Sequence, residues 1–245
     1  MLTAGKNAVI ELLKGETTVN KVMILKNSND IALNRIAAMA RDKKVKVMFV
    51  PKEFLDKIGN GLKHQGVLAD TADFKYCEID DILEHAEKAG RPPLVVLLDG
   101  ITDPHNLGSV IRTAECAGAD GIIIPRHRAC LVNDTVIKTA SGAAEYMNIA
   151  AVSNLNSAID YLKKKNLFIA ACDMDGEIMY RSDLTGALGI VIGSEGEGIS
   201  RLTKEKCDFA VSIPLFGNIS SLNASVAAGL VIYEAVRQRT GVKKQ

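Results

Sequence analysis

Three polar stretches break the otherwise apolar C-terminal part of the chain: DPHNLGSVIR from Asp103, IGSEGEGIS from Ile192 and IPLFGNISSLNAS from Ile213. Each directly follows, or closes, an apolar run of strand type. A chain that only had to reverse direction would need no paired glutamates or arginine there. In the first stretch, Leu107, Val110, Ile111, Ala114 and Gly118 form one helical stripe. Arg112 falls off that stripe, on the same face as His105 and Ser109. Helical side chains lean toward the N-terminus, so its guanidinium points back at the loop as a permanent positive charge. The alternative is a surface arginine paired with Glu115 or Asp103.

In the second stretch, Gly193, Gly196 and Gly198 let main chain approach a ligand closely. Glu195 and Glu197 would repel phosphate, so a neutral or cationic ligand fits better. The alternative is a tight strand-to-helix turn with its glutamates at the positive helix end. Position 201 is Arg, so the dinucleotide fingerprint fails at its third glycine, and no phosphate-loop G-K-[ST] occurs. In the third stretch, Ser220 or Ser221 reads as the cap of a helix whose buried stripe is Leu222, Val226, Leu230 and Tyr233. Ala224, Ala227, Ala228 and Gly229 permit close approach to another helix, such as one from a second subunit.

The elements that must hold these stretches follow from periodicity. LVVLLD, GIIIP, MNIAAV, LFIAACD, LGIVIG and FAVSIP are near-continuous apolar strands, separated by helices near 107–118, 134–141, 154–165, 199–206 and 222–239. That pattern predicts an α/β fold with a parallel sheet covered on both faces, and ligands beyond the carboxyl ends of its strands. Residues 1–75 alternate helix and strand as a smaller α/β unit, residues 76–93 read as a linker ending at Arg91-Pro92-Pro93, and 94–245 form the larger domain.

Composition narrows the class. The 245 residues are 47% hydrophobic and carry a net charge of +1, which alone points to no nucleic acid. The first 75, however, hold 13 Lys and Arg against 8 Asp and Glu, a basic module. The five cysteines show no C-x-x-C pair, so no metal site is signalled; they read as buried thiols of a cytoplasmic protein. Charges in the first 16 residues oppose a signal peptide. The polar residues between Pro214 and Asn223 oppose a membrane span, so no membrane partner is expected.

In order and spacing, the three stretches resemble the three motifs of the TrmH (SpoU) branch of the SPOUT RNA methyltransferases. GKNAVIELL and KHQGVLA (63–69) are similar to the ribosomal-protein-L30e-like substrate-binding domain of RlmB-type members. The resemblance implies a deep trefoil knot, S-adenosylmethionine as methyl donor, no metal, a homodimer, and 2′-O-methylation of ribose in RNA, first of all a guanosine of 23S rRNA. Carried over by position, it implies catalytic roles for Asn106, Arg112, Glu195, Ser221 and Asn223, and cofactor contacts at Gly193, Ile213 and Leu222. RNA contacts would come from Lys6, Asn7, Arg35, Arg41, Lys43, Lys44, Lys63 and His64 of the basic module, and from Arg126 and Arg128. A tRNA ribose methyltransferase and a non-catalytic RNA-binding assembly factor are the alternatives.

Overall fold

The computed structural model describes residues 2–15, 19–71 and 74–241. The chain divides into two compact units, Met1–Phe74 and Lys75–Gln245.

The first unit holds β1 (Leu2–Ala4), α1 (Lys6–Lys14), β2 (Val19–Leu25), α2 (Ile31–Asp42), β3 (Lys46–Val50), α3 (Lys52–Gly59) and β4 (Val67–Thr71). Its sheet runs β1-β4-β2-β3, with only the β2–β3 pair parallel. Spacing of three and four buries Val9, Leu12 and Leu13 of α1 against Leu33, Ile36, Ala37 and Ala40 of α2 on one sheet face. Leu55 of α3 packs with Met23, Val50 and Leu68 on the other. Asp30 caps α2 by accepting from the amides of Ala32 and Leu33 at 2.9 and 3.3 Å.

The second unit begins with α4 (Ile79–Lys88), followed by β5 (Leu94–Asp99), α5 (Pro104–Cys116), β6 (Gly121–Pro125), α6 (Asp134–Ala140), α7 (Ala143–Tyr146), β7 (Ile149–Val152), α8 (Leu155–Lys164), β8 (Phe168–Ile178), β9 (Leu188–Gly193), α9 (Arg201–Lys206), β10 (Phe209–Ser212) and α10 (Ala224–Arg239). Its six strands form one all-parallel sheet in the order β10-β8-β9-β5-β6-β7, the α/β architecture expected from the apolar runs. The order reverses between β5 and β9, the position where open parallel sheets place ligands.

Residues 76–93 are not a linker. α4 carries a capping box between Glu78 and Asp81, and Ile82 is wholly buried in the core of the larger sheet. A Cβ on Gly121 would come within 2.5 Å of Ile82, so that glycine is what admits the helix. The buried carboxylate of Asp120 then ties the segment down: it accepts from the Leu94 amide at 2.8 Å, from Arg91 at 2.8 and 3.1 Å, and lies 3.0 Å from His85 Nδ1. Cutting this knot of charges by Asp120→Ala leaves Arg91 and the Leu94 amide without their acceptor. The expected cost is roughly 2–3 kcal/mol, less than for a fully buried pair because Arg91 keeps partial contact with water. Urea unfolding followed by a probe in this unit measures it.

The cysteines are less buried than the sequence suggests. Cys116 is exposed, and the other four are half-buried. Burial, followed by nearby carboxylates, pushes the thiols of Cys77, Cys172 and Cys207 up to about 11. Little thiolate is therefore present at those three near neutrality. A maleimide pulse followed by peptide mapping should label Cys116 first, with those three on the order of a hundredfold slower than an ordinary thiol.

α10 presents a different face to the core from the one its larger side chains suggest. Ala224, Ala228, Val231, Ile232 and Ala235 are buried, while Val226, Leu230 and Tyr233 stand 41–50% exposed. The small residues let α10 lie close to α5 and β9, which turns the large ones outward. With Ser109, Thr113, Ser225 and Gly229 these line a groove of about 460 Å³.

Candidate active site

Strand register brings the first two polar stretches together. β5 and β9 pair in parallel with Asp99 opposite Gly193, so the chains leaving them emerge side by side. Asp103 caps α5 through the His105 amide at 2.8 Å, with Pro104 in the first turn, where its missing N–H costs nothing. Asn106 follows on the buried side of that turn, 8% exposed. The Ser200 amide donates to Asp99 at 2.9 Å and fixes the far end of the second stretch.

Within that stretch the glycines serve the loop itself. Ser194 and Gly198 exchange two main-chain hydrogen bonds, at 3.0 and 3.1 Å, closing a tight turn. A Cβ on Gly193 would lie 2.1 Å from the Gly198 carbonyl carbon, and Gly198 adopts φ 68°. These positions need glycine for closure of the turn. The turn holds the Glu195 carboxylate over the start of α10.

The third stretch arrives from the sheet edge. Asn223, rather than Ser220 or Ser221, is the helix cap: its Oδ1 accepts from the Ser225 and Val226 amides at 3.0 and 3.3 Å and from Ser225 Oγ at 2.6 Å. Its Nδ2 donates to Asn106 Oδ1 at 2.9 Å and to Glu195 Oε1. Glu195 Oε1 also accepts from Asn106 Nδ2 at 3.1 Å and from the Ala224 amide at 3.3 Å, placing a negative charge at the positive end of α10. Residues 117 and 28 positions from Asn223 thus join it in one network. Both amide hydrogens of Asn223 are committed, which leaves one N–H of Asn106 and Glu195 Oε2 to meet a ligand.

Ser221 and Leu222 lie at the exposed end of the same stretch, and Ile213 at its half-buried start. From Leu215 to Leu222 the main chain makes no hydrogen bond among the described residues. Its side chains Phe216 and Ile219 stand 96% and 76% exposed.

Arg112 does not join the network. It is exposed on α5, and its Nη1 donates to Ser141 Oγ at 3.4 Å. Sequence reasoning reached Arg112 but missed Ser141; the Ser-Gly pair closing α6 was the available signal.

The basic candidates of the first unit are unequal. Asn7, Arg35 and Lys63 are exposed, as are Lys43 and Lys44, though Lys43 Nζ donates to the Gly15 carbonyl at 2.6 Å. Arg41 is exposed with its guanidinium over the Phe49 ring at 5.9 Å. Lys6 forms an ion pair with Asp30, and its amide donates to Gln65 Oε1 at 3.2 Å, so the two signature stretches of this unit touch. His64 is not free to read a base. It is 9% exposed, its Nδ1 accepts from the Gly66 amide at 3.0 Å, and Nε2 lies 2.8 Å from Asp56. With Nδ1 accepting, the proton sits on Nε2 and both ring nitrogens are used. In the second unit Arg126 and Arg128 are exposed, Arg126 lying over the Tyr76 ring at 5.8 Å. Among the described residues, no group of three His, Cys, Asp or Glu is placed to hold a metal, and no helix is long and apolar enough to cross a membrane.

Known proteins resemble this chain in sequence and in fold. Residues 93–233 match the SpoU rRNA Methylase family, and residues 2–77 match the family described as RNA 2′-O ribose methyltransferase substrate binding. The chain is 41% identical over 239 residues to the Bacillus subtilis protein named "Putative TrmH family tRNA/rRNA methyltransferase YacO", covering 97% of this chain and 96% of that one. Among solved structures, it resembles the SpoU methyltransferase AviRb from Streptomyces viridochromogenes in complex with AdoMet, with TM-score 0.66, 25% identity, and coverage of 98% and 91% of the two chains. The TrmH/SpoU tRNA modifying enzyme of A. aeolicus matches with TM-score 0.57 and 25% identity, covering 66% of this chain and 85% of its own.

Proposed function

The chain belongs to the SpoU rRNA methylase family, and on that premise we propose that it methylates the ribose 2′-hydroxyl of a guanosine in 23S rRNA, as an RlmB-type enzyme. Its reaction at the level of the family is S-adenosylmethionine-dependent 2′-O-ribose methylation of tRNA or rRNA. The observation that carries the assignment of the site is the hydrogen-bonded junction of Asn106, Glu195 and Asn223, drawn from three separate stretches at the mouth between β5 and β9.

The residues suit the donor in kind. The unpaired main chain of Leu215–Leu222 offers hydrogen bonds to an adenine edge, and exposed Phe216, Ile219 and Leu222 offer apolar cover. Gly193, Ile213 and Leu222 would make the main-chain contacts. The bound donor supplies a methyl group already activated on a sulfonium. Glu195 accordingly favours a cationic neighbour over a phosphate.

A ribose hydroxyl is a weak nucleophile, so its placement matters most. Holding reacting groups in line supplies roughly 7–11 kcal/mol, against about 3–5 kcal/mol for a general base worth a factor of 10²–10⁴. In our reading Asn106 and Ser221 place the ribose, Asn223 locks Asn106, and Glu195 orients both amides. Arg112 keeps its proton and acts as a fixed charge for the developing oxyanion or the adjacent phosphate. Water or a phosphate oxygen takes the hydroxyl proton. Asn7, Arg35, Arg41 and Lys63 of the first unit hold folded RNA by its phosphates, with Arg126 and Arg128 contributing from the second. Lys6 shapes the surface through Asp30, and His64 through Asp56 and Gly66.

We assign the outward face of α10 to a homodimer, since Val226, Leu230 and Tyr233 form an apolar groove wall. The knot belongs to the same assignment, with the chain after β10 returning from the sheet edge to α5 and β9. The substrate-binding unit favours rRNA over tRNA: the tRNA-modifying A. aeolicus structure matches only 66% of this chain. Methyl transfer to rRNA and tRNA transcripts in parallel tests the choice. We expect rRNA to be methylated; transfer to tRNA alone would overturn it.

A further inference from the structure

The corner between α6 and α7 is left-handed at two successive residues: Ser141, at the end of α6, has φ 51° and Gly142 follows with φ 90°. Serine has no intrinsic preference for that region, and such conformations persist where the surroundings hold them. The surroundings here are α5. A Cβ on Gly108 would lie 2.6 Å from Thr139 Cβ and 2.8 Å from the Val136 carbonyl oxygen, so the two helices meet backbone to backbone.

That contact sets two hydroxyls of the corner against His105 and Arg112 of α5. Thr139 Oγ1 donates to the Thr135 carbonyl at 2.8 Å and faces His105 Nδ1 at 3.4 Å. Ser141 Oγ donates to the Thr139 carbonyl at 3.4 Å, which spends its one hydrogen. Its lone pairs are therefore turned to Arg112 Nη1, also at 3.4 Å.

We propose that Ser141 is a positioning residue for methyl transfer: its hydroxyl, fixed as an acceptor at the α6–α7 corner, holds the Arg112 guanidinium in the orientation that meets the RNA. The proposal rests on the role assigned to Arg112 above. A long, exposed arginine otherwise samples many rotamers, and anchoring one nitrogen leaves the rest of the planar fork aimed at a phosphate or oxyanion.

The test is a double-mutant cycle on the full-length protein, reading single-turnover transfer to rRNA and, separately, S-adenosylmethionine affinity by calorimetry. Ser141→Ala and Ser141→Gly should each slow transfer about tenfold with donor affinity unchanged. Glycine relieves the left-handed backbone, so equal losses would assign the effect to the hydroxyl. In an Arg112→Ala background, Ser141→Ala should cost nothing further. Wild-type rates in Ser141→Ala, a full additional loss without Arg112, or normal activity of Ser141→Gly alone would overturn the proposal. A wild-type rate in Arg112→Ala would instead refute the parent assignment.

Discussion

Replacing Asn223 by serine should lower methyl transfer by about 100-fold or more while leaving the fold nearly as stable as before. Asn223 does two things with two ends of one side chain. Its Oδ1 caps α10 through Ser225 and Val226, a role serine fills almost equally well, whereas alanine would lose about 1 kcal/mol. Its Nδ2 ties Asn106 to Glu195, and serine cannot reach either partner in that geometry. Rate and stability therefore separate in Asn223→Ser and fall together in Asn223→Ala. Thermal melts and single-turnover transfer on the same preparations check both halves. An Asn223→Ser enzyme of normal rate would remove the junction from the mechanism.

The second large effect concerns RNA capture. Deleting residues 1–74 removes a unit with its own two buried clusters and leaves the large sheet intact. Transfer to full-length rRNA should fall by about 10³-fold, because the exposed Arg35, Arg41 and Lys63 go with it. Donor affinity, set by the loops of the other unit, should stay within about twofold. The intact enzyme should also lose RNA affinity steeply as salt rises, and the truncated one less so. Full activity of the truncated chain on rRNA would contradict the division of labour, and loss of donor binding would locate part of the donor site in the first unit.

The sequence makes the larger sheet plain because its central strands β5, β6 and β9 are buried on both faces and read as apolar runs, as Leu94–Leu98 does at 0–1% exposure. Junctions are harder. Residues 76–93 look like a linker because Arg91-Pro92-Pro93 ends a helix, yet Ile82 and the clamp on Asp120 bind the segment into the core, and neither tie is local. α10 misleads in another way. It is apolar around most of its circumference, so side-chain size suggests Leu222, Val226, Leu230 and Tyr233 as the buried stripe, when packing selects Ala224, Ala228 and Ala235 with Val231 and Ile232.

The site divides along the same line. Asn106, Glu195 and Asn223 were reached through the resemblance to the three family motifs; strand register joins the first two, and the start of α10 brings in the third. Which serine or asparagine caps α10 was not legible, since Ser220, Ser221 and Asn223 are all good caps. His64 looked available for RNA because its two partners, Asp56 and the Gly66 amide, are recognisable only in three dimensions. The partnership of Arg112 with Ser141 spans 29 residues and two helices, beyond the reach of helical periodicity.

The most direct measurement is the chemical identity of the product. RNA treated with the enzyme and isotopically methyl-labelled S-adenosylmethionine, digested to nucleosides and resolved by mass spectrometry, should carry the label on ribose as 2′-O-methylguanosine, and should lose it with Asn223→Ser. Label on a base instead of ribose, or donor binding without any transfer to rRNA, would contradict the account.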